Sequence, residues 1–462
     1  MKLPRIMITA AASGSGKTLC TCGLLQALKN RGLRTVSFKC GPDYIDPMFH
    51  TKVIGTKSRN LDTFFTGRDR TRHLLGKNGA GADVAVIEGV MGYYDGLAGI
   101  SAKASAWDLA DVTGTPAVLL VNCKGMSVSV VPMIKGFLEY QENSHIRGVI
   151  LNRISPMLYP RVKAMIEEQL PVKVCGYLPE LKDCLLESRH LGLVLPEEIR
   201  DLQRQLETLA AAMENSVDID GLLALAKTAE EIPVESGGRI EKGTPLNIGV
   251  AMDEAFCFFY EDNLDYLREH GARLIPFSPI HDSRLPEGLD GLILNGGYPE
   301  LYARLLSENT ATRQGLRKAI LDGIPTTAEC GGFLYLHQTM EDMDGTAWPM
   351  AGIIPGRAEK TPRLTRFGYV TLRGGTVFGK TVGSLPAHEF HYFDSDACGA
   401  DWKAEKPLSS RSWPCIHSTD TLFAGFPHIY YPANPAFAQA FLEKCREYAD
   451  ERGGRNDFSD MC

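Results

Sequence analysis

None of the twelve cysteines stands in a C-x-x-C pair, so neither a zinc ribbon nor a dithiol redox motif is encoded. The two closest, Cys20 and Cys22, share an expected helix and point in different directions. Long hydrophobic runs are missing too: nothing approaches the roughly 18 apolar residues that a membrane span requires. The opening MKLPRIMITAA gives way at once to a glycine-rich loop, which leaves its apolar stretch too short for a secretory signal. Nor is there an excess of positive charge. Lys and Arg number 49 against 56 Asp and Glu, a formal net charge of −7, whereas nucleic-acid binders usually carry a basic face. A local basic pocket for a small anion is still permitted. Repeats and low-complexity tracts are absent. The expectation is a cytoplasmic enzyme or ATPase with reduced thiols and with neither a membrane nor a nucleic-acid partner.

What is present is apolar material, 44% of 462 residues, more than one core can organise. RIMITAA, RTVSFKC, DVAVIEG, AVLLVNC, RGVILNRI and VKVCGYLP are apolar runs without polar alternation, with helical stretches between most of them. That is the pattern of a parallel sheet covered on both faces, here a doubly wound α/β domain over about residues 1–195. Residues 201–231 read as helix, which extends the first domain to 232. The Gly/Pro-rich, aperiodic stretch over 233–245 reads as a linker. LNIGVAMD, RLIPFSP, GLILNGG and IPTTAEC begin a second α/β domain over 246–450, whose character turns shorter and β-rich after about Ala351. A last helix, PAFAQAFLEKCREYADE, leads to a polar tail over 451–462.

The segment AAASGSGKT, residues 10–18, sits between a strand and a helix. Ala11 stands where the P-loop pattern has its first glycine, but the working parts remain. Gly14 and Gly16 let backbone amides, that of Ser15 included, turn toward a phosphate. Lys17 reaches the terminal phosphates, and the Thr18 hydroxyl can bind Mg²⁺. Past the next strands come FKCGPDYIDP, with Lys39, Asp43 and Asp46, and VIEGVMGYYDG, with Glu88 and Asp95. Ligands of such sheets bind outside the carboxyl ends of the strands, so these side chains are expected to converge on the P-loop. Thr18, Asp46 and Glu88 form the expected metal set. Lys39 and Asn152 are assigned to nucleotide binding, and Asp43 and Asp95 to catalysis or substrate positioning. Each acid taken alone also fits a plain loop cap.

TTAECGGFLYL, residues 326–336, places Cys330 between a strand and a helix and follows it with Gly331 and Gly332. A small buried filler is one reading. A nucleophile elbow is the other, in which the helix N-terminus lowers the thiol pKa and the next backbone N–H becomes an oxyanion donor. LNGGYPE offers Gly297 as the second donor. His428, in AGFPHIYYPANP, stands where chain order puts a base that packs back on the elbow. Two positions on is Tyr430, so no carboxylate is visible there. His388 and His391, in LPAHEFHYFD, are further candidates, although on a β-rich stretch they face opposite sides.

MITAAASGSGKT, FKCGPDYIDP, IEGVMGYYDG, SRHLGLV, LNGGYPE, AECGG, HEFHY and the final histidine segment together resemble the cobyrinic acid a,c-diamide synthase family, glutamine-dependent amidases of the cobalamin pathway. The similarity covers nearly the whole chain. It implies a P-loop doubly wound parallel-sheet domain similar to dethiobiotin synthetase, followed by a class I glutamine amidotransferase-like α/β domain. The cobalamin type of the latter uses a Cys–His pair without the usual carboxylate, in keeping with Tyr430. Relatives usually read H-x-H-F where this chain has HIYY.

The resemblance implies that Cys330 attacks the glutamine amide with His428 as base, while Gly297 and Gly331 stabilise the oxyanion. ATP and Mg²⁺ then activate an acetate of the macrocycle as an acyl phosphate, which ammonia attacks. The implied partners are cobyrinic acid or a related tetrapyrrole and L-glutamine; a homodimer is allowed but not required. GRAEKTPRLTRFGYV, with Arg357, Lys360, Arg363 and Arg366, is either a patch for the substrate carboxylates or a solvated loop. Nickel sirohydrochlorin and hydrogenobyrinic acid are alternative substrates. A P-loop switch ATPase with a non-catalytic amidotransferase-like domain is the more distant alternative.

Overall fold

A computed structural model of the chain describes residues 1–180, 196–233 and 245–459. SRHLGLV, all but the ends of the expected linker, and residues 460–462 lie outside them. The chain divides into two compact units, Met1–Gly237 and Gly238–Cys462.

The first unit is built on a seven-stranded sheet. Its strands are β1 (Arg5–Ala10), β2 (Thr35–Cys40), β3 (Lys57–Leu61), β4 (Val84–Glu88), β5 (Ala117–Asn122), β6 (Ile146–Asn152) and β7 (Lys173–Leu178). They lie in the order β3-β2-β4-β1-β5-β6-β7, and every pairing is parallel. Ile6, Ile8, Val86, Val118 and Leu120 face one side of the sheet. There they pack on Leu24, Leu25 and Leu28 of the helix Lys17–Asn30, and on Leu206, Leu209 and Met213 behind it. Burying both faces explains why these strands read as continuous apolar runs.

Two local features differ from the reading of the sequence. β3 has no apolar run; it is KSRNL, an edge strand whose Ser58 and Asn60 are buried polar residues. Glu88 therefore ends the fourth strand in sequence, not the third. The helical stretch 201–231 is two helices, Pro196–Ser216 and Ile219–Ala226. The break falls where Asp218 accepts a hydrogen bond from Gly221 N–H and caps the second.

In the second unit β8 (Leu246–Ala251), β9 (Ala272–Phe277), β10 (Gly291–Leu294) and β11 (Thr326–Glu329) pair in parallel with one another and with Leu422–Gly425. Alternation along β10 serves two cores: Leu292 and Leu294 face one, Ile293 the other. The β-rich remainder forms a four-stranded and a five-stranded sheet, with Leu385–His391 and His428–Ile429 paired in the latter. The last helix, Pro435–Ser459, runs into the expected polar tail instead of ending near Glu451. Among the described residues no helix is long and apolar enough to cross a membrane.

Candidate active sites

Residues 11–16 turn between β1 and the helix that begins at Lys17. Gly14 and Gly16 have φ of 72° and 93°, the left-handed region that glycine enters without strain. Gly16 is also a close approach, because a Cβ there would lie 2.7 Å from Asn152 Nδ2. Asn152, the last residue of β6, donates to the Ser15 carbonyl at 2.9 Å. It braces the loop from behind. Lys17 curls back on the carbonyls of Ala12 (3.1 Å) and Met91 (2.5 Å). Burial, then the neighbouring Lys39, lower its pKa.

Register brings the next residues together, since Lys39 of β2 and Glu88 of β4 are paired positions. Lys39 Nζ stands 2.8 Å from Glu88 Oε1 and 2.6 Å from Asp46 Oδ2. Glu88 Oε1 also accepts from the Thr18 hydroxyl at 2.7 Å. Asp46 lies in the first turn of the short helix Ile45–Phe49, beyond the end of β2. Burial, followed by repulsion from Asp46, pushes Glu88 up to about 7. Burial works against the Asp46 carboxylate as well, but Lys39 outweighs it and holds that pKa below the usual value. His50 lies behind them, with Nε2 3.6 Å from Glu88 Oε2 and its other nitrogen 3.1 Å from Ser37 Oγ.

Asp43 and Asp95 hold loops. Asp43 Oδ1 accepts from the N–H groups of Ile45 and Asp46, and Asp95 Oδ2 accepts from Gly92 N–H. Asn60 ties the same loop to β3 by donating to the carbonyls of Gly41 and Asp43.

These residues fit a nucleotide with a divalent cation. The loop amides, Lys17 and the Thr18 hydroxyl lie at the carboxyl ends of central strands, and Glu88 Oε2 is buried with no hydrogen-bond partner among the described residues. Among the described residues no group of three or more His, Cys, Asp or Glu is arranged to hold a metal by itself. Phosphate and water oxygens would complete the shell, as is usual for Mg²⁺.

In the second unit Cys330 has φ 49° and ψ −103°, a strained turn for a residue with a Cβ. Cys330 N–H donates to Gly425 O at 2.8 Å, and its carbonyl opens the helix Gly331–Tyr335 by accepting from Leu334 N–H. A Cβ at Gly331 would lie 3.1 Å from Gly297 N, so the two expected oxyanion donors are neighbours. One at Gly296 would lie 2.6 Å from His428 Cε1. The Gly296–Gly297 turn therefore sits between the elbow and the histidine. His428 is buried, and burial followed by repulsion from His388 lowers its pKa to about 3.

One expectation is corrected. The thiol pKa is not lowered. Burial, then the nearby Glu300, push it up, and the Gly331 N–H on the sulfur offsets only part of this. Cys330 is 7% exposed, and desolvating a thiolate costs more than a single short helix turn returns.

The candidate histidines also separate. His388 is the register partner of His428. His391 stacks on Phe426 at 3.8 Å between ring centroids, with Nδ1 2.6 Å from Phe393 O. Tyr430 donates its hydroxyl to Asp262 at 2.8 Å. In the basic segment Lys360 donates to Met343 O and Arg366 lies over the Trp413 ring.

A family model for a CobQ/CobB/MinD/ParA nucleotide binding domain matches residues 6–194, and one for a CobB/CobQ-like glutamine amidotransferase domain matches residues 247–409. A cobyrinate a,c-diamide synthase of Caldanaerobacter subterraneus subsp. tengcongensis is 37% identical over 447 residues, 96% of this chain and 98% of that one. Those of Listeria innocua (39% over 441 residues, 94% and 97%) and Priestia megaterium (35% over 457 residues, 97% and 98%) are equally similar in extent. The chain belongs to the cobyrinate a,c-diamide synthase family.

Within this member of the cobyrinate a,c-diamide synthase family, three groups beside the two sites had no sequence signal of their own. His50 and Asn60 lie outside any recognisable motif. Glu329 immediately precedes the cysteine, and its Oε2 stands 3.8 Å from His428 Nδ1 while accepting from Ile429 N–H at 3.3 Å. Nothing in the spacing of AEC announces that contact, because the histidine is brought to it from another strand.

Proposed function

We propose that the chain is a carbon–nitrogen ligase that amidates the a and c acetates of cobyrinic acid, with ATP as activator and glutamine as nitrogen source. The observation that carries this reading is the full-length similarity to cobyrinate a,c-diamide synthases. The P-loop and the elbow cysteine of the same chain support it.

The first unit activates the acid. A carboxylate does not form an amide at a useful rate, and Mg²⁺–ATP supplies the phosphoryl group that makes it an acyl phosphate. The loop amides around Gly14, Ser15 and Gly16 bind phosphate oxygens, and Lys17 leaves the carbonyls of Ala12 and Met91 to neutralise charge there. Thr18 and Glu88 offer oxygens to the cation, with Asp46 beside them. Lys39 keeps these carboxylates from repelling the polyanionic ligand. Asp43 and Asp95 fix the loops against which the acetate is placed.

The second unit supplies ammonia. Cys330 Sγ attacks the glutamine Cδ, its proton passes to His428 Nε2, and Gly297 and Gly331 N–H groups receive the oxyanion. The same proton then goes to the leaving nitrogen as the C–N bond breaks. Water hydrolyses the thioester by the reverse traffic, leaving glutamate and free Cys330.

Turnover of the full chain with cobyrinic acid, hydrogenobyrinic acid and nickel sirohydrochlorin, each with ATP and glutamine, tests the proposal. Cobyrinic acid should give the highest kcat/KM. A clear preference for either alternative would replace the substrate, and no amidation of any of the three would overturn the reading.

A further inference from the structure

Where the sequence offers no carboxylate after the histidine, the fold brings one from a different strand. Glu329 is the last residue of β11 and Cys330 follows it directly. His428 belongs to the short strand paired with Leu385–His391. The two chains meet so that Glu329 Oε2 is 3.8 Å from His428 Nδ1 and takes the N–H of the next residue, Ile429. Both side chains are buried, at 7% and 3% exposure. The carboxyl is therefore fastened to the backbone of the strand that carries the base.

We propose that Glu329 is the positioning residue for His428, holding the ring with Nδ1–H toward the carboxylate and Nε2 toward Cys330. This rests on the glutaminase reading above. The need for such a group is evident from the charges. A buried imidazole and a buried thiol are both neutral at rest, and proton transfer between them creates an imidazolium in a dry site. A carboxylate on the far side of the ring stabilises that cation and takes up no proton itself, the role of the orienting acid in other nucleophile–histidine pairs. The stretch of chain that presents the nucleophile thus also presents the orienting acid. Tyr430 donates its hydroxyl to Asp262 instead.

The arrangement has a pH signature. Burial pushes Glu329 up to about 8. The titratable groups of the neighbouring elements act on the same cluster: Glu300, Glu329 and Glu389 on Cys330, His388 and His391 on His428, and Glu329 on Tyr431. Among those with shifted values, His388 and His428 are lowered to about 3, Glu300 is raised to about 7, and Cys330 and Tyr431 are raised. A carboxyl with a raised pKa is charged only above it. Glutaminase kcat should therefore climb as pH rises through about 8, and the climb should belong to Glu329, not to Glu300 one unit lower.

The experiment measures ammonia release from glutamine between pH 6 and 10 in the full chain and in Glu329→Gln, Glu329→Asp, Glu300→Gln and Cys330→Ala. Amidation from ammonium is followed in parallel as a check that each variant is folded. Glu329→Gln should lower kcat on the order of 10²-fold, leave KM for glutamine near wild type, and flatten the limb near pH 8. Glu329→Asp should restore part of kcat and a limb. The proposal falls if Glu329→Gln keeps wild-type kcat or keeps the limb, or if Glu300→Gln alone removes it. Glutamine hydrolysis surviving in Cys330→Ala would instead overturn the glutaminase reading beneath it. Should Glu329→Gln fail to amidate from ammonium, Glu329→Asp decides: a wild-type profile there, with the limb unmoved, also rejects the proposal.

Discussion

The Thr18 hydroxyl donates to Glu88 Oε1 at 2.7 Å, linking the first turn of the P-loop helix to the end of a neighbouring strand. A hydroxyl and a carboxylate held together at those strand ends suit a cation that also takes phosphate oxygens. Glu88→Gln should raise the Mg²⁺ concentration needed for half-maximal activity by about 10-fold or more, with ammonium as nitrogen source. Unchanged Mg²⁺ dependence would remove Glu88 from the cation site.

Asp43 and Asp95 should behave differently, because each caps a loop. Asn keeps an acceptor oxygen, so Asp43→Asn and Asp95→Asn should retain the KM for ATP. The Ala variants lose the cap and should cost about 1 kcal/mol of stability together with turnover. Denaturant unfolding beside steady-state kinetics separates the two. An Asn variant with lost ATP affinity would show that the charge itself binds.

Cys330→Ala should lose glutamine-dependent amidation by about 10³-fold or more while amidation from ammonium survives. The acid is activated by the other unit. Failure with ammonium as well would refute the division of labour.

Lys17→Ala should fail with both nitrogen sources, by at least about 10²-fold, while glutamine hydrolysis is spared. Assaying amide product and glutamate separately makes the distinction, and normal amidation would reject the P-loop assignment.

Gly332 packs against the backbone of β10, where a Cβ would fall 2.0 Å from Leu294 O. Gly332→Ala should cost about 1–3 kcal/mol, read from denaturant midpoints. A wild-type midpoint would mean that the elbow can shift at no cost.

Both α/β patterns were legible because strands buried on two faces must be apolar throughout, as Ile6–Ile8 and Val84–Ile87 are. The P-loop and the elbow were legible because glycine is demanded at fixed offsets from a lysine or a cysteine. β3 was not, since an edge strand can be KSRNL when Asn60 finds the carbonyls of Gly41 and Asp43 inside the fold. The thiol pKa was misjudged for a related reason: the string shows the helix start at Gly331 but not how deeply Cys330 is buried. Contacts such as Glu329 with His428 arise from strands far apart in sequence, the Glu329–Ile429 hydrogen bond spanning 100 positions, and no local pattern encodes them.

The nucleophile and its base are mounted on different sheets. Cys330 rides on the parallel sheet through β11, whereas His428 hangs from the antiparallel one through its pairing with His388. Only Phe426 and Pro427 separate Leu422–Gly425, in the first sheet, from His428 in the second. Catalytic alignment therefore behaves like a latch between two plates. A small shear of one sheet against the other would disengage it and strain the Glu329–Ile429 hydrogen bond that joins them, so substitutions along Leu385–His391 should reach the chemistry through the angle of the plates.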